Sequence, residues 1–191
     1  MKKILITGGA CAGKTTSLNL IKEYFEKNNY KVYVMEEVPT KLIYEGITSD
    51  KIGRMEFQEL VIKTGLEKEE ECNKKYINQD NIVVIFDGSP LDSLKFINKE
   101  ELDEIFEKYN TNIDKVFSNY DEVLFLDTIA KKYPELYSNE NNKARMTDPK
   151  AAIERNDKLL NEYLKIGNIN VIENDINYDN KNKKIIDIIS K

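Results

Sequence analysis

An apolar run, Lys3-Ile4-Leu5-Ile6-Thr7, breaks into Gly8-Gly9-Ala10-Cys11-Ala12-Gly13-Lys14-Thr15 and then into an amphipathic stretch that opens at Thr16. A GxxxxGKT pattern between a strand and a helix leaves few folds open. Such a loop turns successive backbone N–H groups into a concave anion site, and the positive end of the next helix dipole favours phosphate at the same spot. The glycines let the backbone approach phosphate with no Cβ in the way. Gly8, Gly9, Ala10, Cys11, Ala12, Gly13, Lys14, Thr15 and Thr16 are therefore the candidate phosphate-binding residues. In this pattern Lys14 reaches the β- and γ-phosphates, and the Thr15 hydroxyl binds Mg²⁺.

Four further apolar or β-branched runs follow: Lys31 to Met35, Ile82 to Phe86, Glu122 to Leu126 and Asn168 to Glu173. They read as strands. Between them lie residues at helical spacing, such as Leu18, Ile21 and Phe25, and later Ile153, Leu159, Leu160 and Tyr163. This alternation predicts an α/β chain: a parallel sheet covered by helices on both faces, as a three-layer α/β/α sandwich. With 191 residues, 4 prolines and 8 glycines, one domain spanning 1–191 is expected. The second connection, Glu36 to Asn81, reads as mostly helical from Ser49, and the third as helical from Leu91 to about Tyr120. The polar stretch 131–148 reads as a lid.

Composition narrows the chemistry. A formal net charge of -5 argues against nucleic acid or an anionic membrane as the main partner. No apolar stretch is long enough for a signal peptide or a spanning helix, so a cytoplasmic protein is expected. Two cysteines, Cys11 and Cys72, are too few for a disulfide framework. Histidine is absent, so proton transfer falls to a carboxylate.

The run Ile82-Val83-Val84-Ile85-Phe86-Asp87 supplies one, at the tip of a buried strand where a ligand crevice opens. Asp87 is a candidate for the metal-linked or the basic carboxylate, with a cap toward Ser89 and Pro90 as its plainer role. The second strand runs out through Glu36-Glu37-Val38-Pro39-Thr40; Glu37 is the preferred general base, although alternation does not exclude Glu36. Only three arginines, Arg54, Arg145 and Arg155, stand against twenty-six lysines, so each could mark a place that needs a bidentate fork. Arg145, just before Thr147-Asp148-Pro149 opens a helix, is assigned to the γ-phosphate and the transition state. Arg155 reads equally as a second lid arginine or a helix-face charge, and Arg54 as less central. The run Glu67, Glu69, Glu70 and Glu71 reads as a solvated face, with Glu67 and Glu70 the ones that could point into an acceptor cleft.

The phosphate loop, Glu36-Glu37-Val38-Pro39-Thr40, Met55-Glu56-Phe57-Gln58, Phe86-Asp87-Gly88-Ser89-Pro90-Leu91-Asp92, Tyr120-Asp121-Glu122-Val123, and Arg145 with Ala152 together resemble small AAA-labelled P-loop ATPase domains. The nearest likeness is to ribosylnicotinamide kinases and, more distantly, deoxynucleoside and nucleotide kinases. The resemblance spans nearly the whole chain, and implies a five-stranded parallel sheet in the order 2-3-1-4-5 with a helical lid. It also implies ATP and Mg²⁺ as cofactors and phosphoryl transfer to the hydroxyl of a small acceptor. The chain departs from the pattern at Asp87-Gly88-Ser89, where many relatives carry an arginine in the middle.

A small-molecule kinase is thus the leading expectation, with Lys14, Glu37, Asp87 and Arg145 as its catalytic residues and Thr15 and Asp87 at the metal. A slowly hydrolysing nucleotide-binding regulatory module with a protein partner is the alternative. A GTPase is disfavoured because Asn98-Lys99-Glu100-Glu101 ends in Glu where guanine readout needs Asp. A second copy of the chain is a candidate partner, as a homodimer.

Overall fold

The computed structural model describes residues 1–137, 148–175 and 177–191. Five strands, β1 (Lys2–Gly8), β2 (Lys31–Met35), β3 (Ile82–Asp87), β4 (Glu122–Leu126) and β5 (Asn170–Ile172), form one sheet in the order β2-β3-β1-β4-β5. All four pairings are parallel, which is the expected arrangement. β5 is shorter than the Asn168 to Glu173 run, because pairing with β4 covers only Asn170, Val171 and Ile172.

Alternation in the central strand sets the layers. Leu5 faces one side with Val84, Phe86 and Phe125, while Ile4 and Ile6 face the other with Val83, Ile85, Leu124 and Leu126. The first face is covered by α4 (Arg54–Tyr76), α5 (Lys99–Lys108), α6 (Ile113–Phe117) and α7 (Pro149–Ile166), which contribute Ile62, Phe106, Val116 and Leu159. The second is covered by α1 (Lys14–Lys27) and α8 (Tyr178–Ile189), through Leu18, Ile21, Phe25, Ile185 and Ile189. β1 and β3 are buried on both faces, which is why they read as unbroken apolar runs.

The connections differ in detail from their reading in sequence. Helix begins before Ser49, since Val38–Tyr44 forms α2 with Pro39 in its first turn, where a missing N–H is harmless. A four-residue helix, α3 (Ser49–Ile52), precedes α4. The third connection opens with a 3-10 turn over Pro90–Lys95 that Ser89 caps by accepting from the Leu91 N–H at 3.2 Å. In the 131–148 stretch, Ile129–Lys131 and Pro134–Leu136 form short 3-10 turns; residues 138–147 lie outside the described residues. The predicted start of the following helix holds: Asp148 caps α7 by accepting from the Ala151 N–H at 2.9 Å. Among the described residues no helix is long and apolar enough to cross a membrane.

Gly8 is where strand becomes loop. Its φ is +133°, and a Cβ there would overlap the Leu126 carbonyl oxygen of the neighbouring strand. Gly8→Ala is expected to lower stability by roughly 2 kcal/mol or more, from backbone strain and overpacking together. A fall in the urea midpoint at unchanged slope checks this.

Candidate active site

The phosphate loop is held open from outside. The Lys14 ammonium donates to the Gly9 carbonyl at 3.0 Å, the Thr128 hydroxyl to the Ala10 carbonyl at 2.6 Å, and the Lys181 ammonium to the Ala12 carbonyl at 2.7 Å. With the Ala10 and Ala12 carbonyls bound by side chains from elsewhere in the chain, intervening N–H groups are left for the concavity. Gly13 takes a left-handed φ of 77° and starts α1, so the helix N-terminus points into the same space. Gly9 must stay bare, because a Cβ would run into Asn156, a buried side chain of α7 that also accepts from the Thr128 N–H at 3.1 Å. Thr15 and Thr16 stand exposed on the first turn.

Parallel register brings the acidic strand ends to this loop. Asp87 pairs across from Ile6, and the Gly88 N–H donates to the Ile6 carbonyl at 2.9 Å, which fixes the β3 tip beside β1. Burial pushes the Asp87 carboxyl up to about 6, helped by the negative charge of Glu37 and opposed by Lys14. Its Oδ1 is buried with no hydrogen-bond partner among the described residues. Glu37 caps the entry to α2, accepts from the Thr40 hydroxyl at 2.7 Å, and bears electrostatically on both Asp87 and Lys14. Glu36 also lines the crevice, but its backbone carbonyl and its charge act on Lys68 of α4 rather than on Lys14 and Asp87. The Lys14 pKa is lowered by burial and by Lys95, against the pull of Glu37, Asp87 and Asp92.

Several members of the site carried no signal in sequence. Asp92 is a hub: its Oδ1 accepts from the Thr7 hydroxyl at 2.5 Å and the Tyr163 hydroxyl at 2.8 Å, while its Oδ2 pairs with Lys95 at 3.3 Å. Lys95, 15% exposed in its side chain, is thereby held in the crevice. A Cβ at Gly88 would sit 3.5 Å from that same Asp92 Oδ2, so Lys95 occupies the neighbourhood an arginine at position 88 would enter. In the acidic run of α4, Glu69 is the residue that turns inward; Glu67 and Glu70 are exposed and pair with Lys63 and Lys74. Glu69 accepts from the Tyr120 hydroxyl and from Asn119 at 2.9 Å, and the Tyr120 oxygen in turn accepts from the Ser89 hydroxyl at 3.0 Å. The helix period of α4 does mark Glu69 as inward, since Ile62, Gly65 and Cys72 on the same face are buried.

The arginines separate. Arg145 lies outside the described residues. Arg155 lines the crevice and stacks its guanidinium over the Phe96 ring at 5.3 Å. Arg54 is bound to Glu101 at 2.7 Å and to the Phe96 carbonyl at 2.9 Å, which ties α4 to the segment carrying Phe96. Cys11, with a φ of 52°, lines the crevice as part of the loop.

Loop, strand ends and the flanking α2, α4 and α7 enclose a crevice of about 1190 Å³. Pockets for one small ligand run from about 300 to 1,000 Å³, so this space suits two ligands side by side. The donor set would fit a hard cation: an orphaned carboxylate oxygen on Asp87 and a hydroxyl on Thr15 are oxygen donors of the kind such an ion takes. Among the described residues there is no cluster of three or more potential ligands of the kind an all-protein cage requires.

Burial raises the Glu69 carboxyl to about 7, against the hydrogen bonds from Tyr120 and Asn119. A folded-state pKa above the unfolded value of 4.5 means the native state keeps a proton that the unfolded chain has lost. The stability this confers is complete below about pH 4.5 and is lost as pH rises to about 7, at up to about 1.4 kcal/mol per pH unit. Glu69→Gln is expected to flatten that part of the profile, which chemical unfolding of both proteins at pH 5 and pH 8 measures.

With this geometry in hand, the known proteins can be set beside it. The model of a family described as an AAA domain matches residues 3–180. No curated protein matches the sequence. Among solved structures, a deoxyadenosine kinase from M. mycoides with bound dATP superposes with a TM-score of 0.62 at 15% identity, covering 100% of both chains. The same kinase with the products dCMP and a flexible dCDP gives 0.60 at 15% identity over 98% of each chain, and with dCTP 0.55 at 16% over 98%. At such identities the likeness is one of fold, and it is the same five-stranded, P-loop, kinase-like arrangement derived above. Matched over nearly its whole length, the chain belongs to the AAA domain family, as a small P-loop member with a nucleoside-kinase-like fold.

Proposed function

We propose that the chain is a kinase that uses Mg-ATP to phosphorylate a hydroxyl of a nucleoside-like or other small acceptor, as a single domain over 1–191. The observation that carries this reading is the convergence of Lys14, Glu37 and Asp87 on one crevice wide enough for donor and acceptor together. One kinase of the same fold holds dATP, dCTP, or dCMP with dCDP in its three structures, which supports nucleotide-like ligands here.

The roles follow from position. The loop amides and Lys14 hold the β- and γ-phosphates, with Thr15 and Asp87 at the cation. Bound Mg²⁺ supplies charge neutralisation on the β- and γ-oxygens. Glu37 takes the proton of the acceptor hydroxyl as its oxygen bonds to the γ-phosphorus and the bridge to ADP breaks. Asp87, whose raised pKa would also suit a base, stands at the β3 tip beside β1 with an unpartnered carboxylate oxygen and is assigned to the cation. Lys95 provides the positive charge on the acceptor side that Gly88 does not, and Arg155 lines the same crevice. Arg145 remains assigned to the transferring group as a proposal from sequence.

Glu37→Gln is expected to lower kcat by about 10²–10⁴-fold while ATP affinity stays near that of the parent. Lys95→Met is expected to lower kcat with a smaller change in the KM for ATP, and steady-state kinetics with a cognate acceptor resolve both. Acceptors are found by thermal unfolding with a non-hydrolysable ATP analogue and a panel of nucleosides, vitamins and sugars, with Lys14→Ala as control. A ligand at a hundred times its Kd adds roughly 2.7 kcal/mol, so a second shift above that of the nucleotide identifies the acceptor. A nucleotide shift with no acceptor response across the panel would replace the kinase reading with a regulatory nucleotide-binding module.

A further inference from the structure

Lys181 of α8 is 5% exposed, and its ammonium lies against the outer wall of the phosphate loop. It donates to the Ala12 carbonyl at 2.7 Å and to Asn174 Oδ1 at 2.9 Å, and a Cβ on Gly13 would meet it at 3.0 Å. Asn174 is itself fixed, because its amide donates to the Asp127 carbonyl. Among the described residues no carboxylate forms an ion pair with Lys181, and the one charge that bears on it is the like charge of Lys14. An ammonium buried without a counter-ion is costly, and a neutral side chain would fill the same space without that penalty.

We propose that Lys181 is a second cation of the nucleotide-phosphate site, a positioning residue that pins the Ala12 carbonyl outward and whose charge is balanced when the nucleotide phosphates enter the loop. This rests on the reading of the loop as a nucleotide site. Two contributions are combined in one side chain. The hydrogen bond to Ala12 shapes the concavity, and the unbalanced charge raises the local potential for an anion held a few ångströms away through the loop backbone.

Affinity then depends on pH through Lys181. Burial, with the Lys14 charge, lowers its pKa to about 8, whereas bound phosphate favours the charged form and raises it again. Above about pH 8 the empty site is losing this proton and must regain it on binding, so affinity falls by up to about tenfold per pH unit. The neighbouring ionisable groups leave that dependence intact. Asp127 is committed to Lys131 and Asn156, Asp175 accepts from the Asn177 N–H and Asn180, Lys184 donates to the Val171 carbonyl, and Asp179 of α8 forms no ion pair with Lys181. The Lys14 pKa is also lowered by burial, and Lys14 is present in every variant compared.

The test is the Kd of Mg-ATP for the full chain at pH 7 and pH 9, by calorimetry, for the parent, Lys181→Gln and Lys181→Arg. The glutamine keeps a donor for Ala12 and removes the charge; the arginine keeps the charge at both pH values. Lys181→Gln is expected to bind about 10–100-fold more weakly at pH 7 and to lose a roughly tenfold part of the decline to pH 9. Lys181→Arg is expected to bind within a few-fold of the parent at pH 7 and to show the same flattened profile. Parent-like affinity and decline in both variants would overturn the role of Lys181 alone, while no ATP binding by the parent at either pH would overturn the nucleotide reading with it. Weak binding by Lys181→Gln with the parent's full decline would also overturn it, because a structural defect shifts both pH values equally.

Discussion

Each backbone N–H that faces a bound anion belongs to a peptide whose carbonyl points elsewhere, and a buried carbonyl needs a donor. In this protein the donors are side chains from three separate parts of the chain: Lys14 from the loop itself, Thr128 from the end of β4, and Lys181 from α8. The shape of the phosphate loop is therefore a tertiary product although its residues are contiguous. Asn156 adds a fourth element, since it packs against Gly9 and orients the Thr128 segment from α7. Loop, sheet and the two last long helices act as one unit around the anion.

The rest of the crevice is organised by charge as well. Asp92 gathers Thr7, Tyr163 and Lys95, and so links β1, α7 and the turn after β3 at a single carboxylate. With hydrogen bonds from two neutral hydroxyls and a lysine partner, it holds Lys95 in place inside a partly buried crevice. Three carboxylates, Glu37, Asp87 and Asp92, then face two ammonium groups, Lys14 and Lys95.

Much of this was legible in sequence, for a physical reason. Lys14, Asp87 and Glu37 sit where strands end, and a parallel sheet carries all its strand ends to one edge, so local pattern and global position coincide. Glu69 and Asp92 were less legible. Glu69 lies in a charged run that resembles a solvated face, and its burial comes from α4 lying against Tyr120 and Asn119, more than forty residues further on. Lys95 and Lys181 are two of twenty-six lysines, with nothing in type or spacing to separate them from surface charges.

Sequence by itself determined the α/β class, the phosphate loop, the strand-end carboxylates and the expectation of a kinase-like sheet, because each is written in residues close together along the chain. Tertiary structure alone decided which charges are buried and which partners they meet. Glu37 rather than Glu36 acts on Lys14 and Asp87, Glu69 rather than Glu67 or Glu70 turns inward, and Lys181 reaches Ala12 across 169 positions of sequence. Long-range contact sets the electrostatics, and it has no motif that a linear pattern can display.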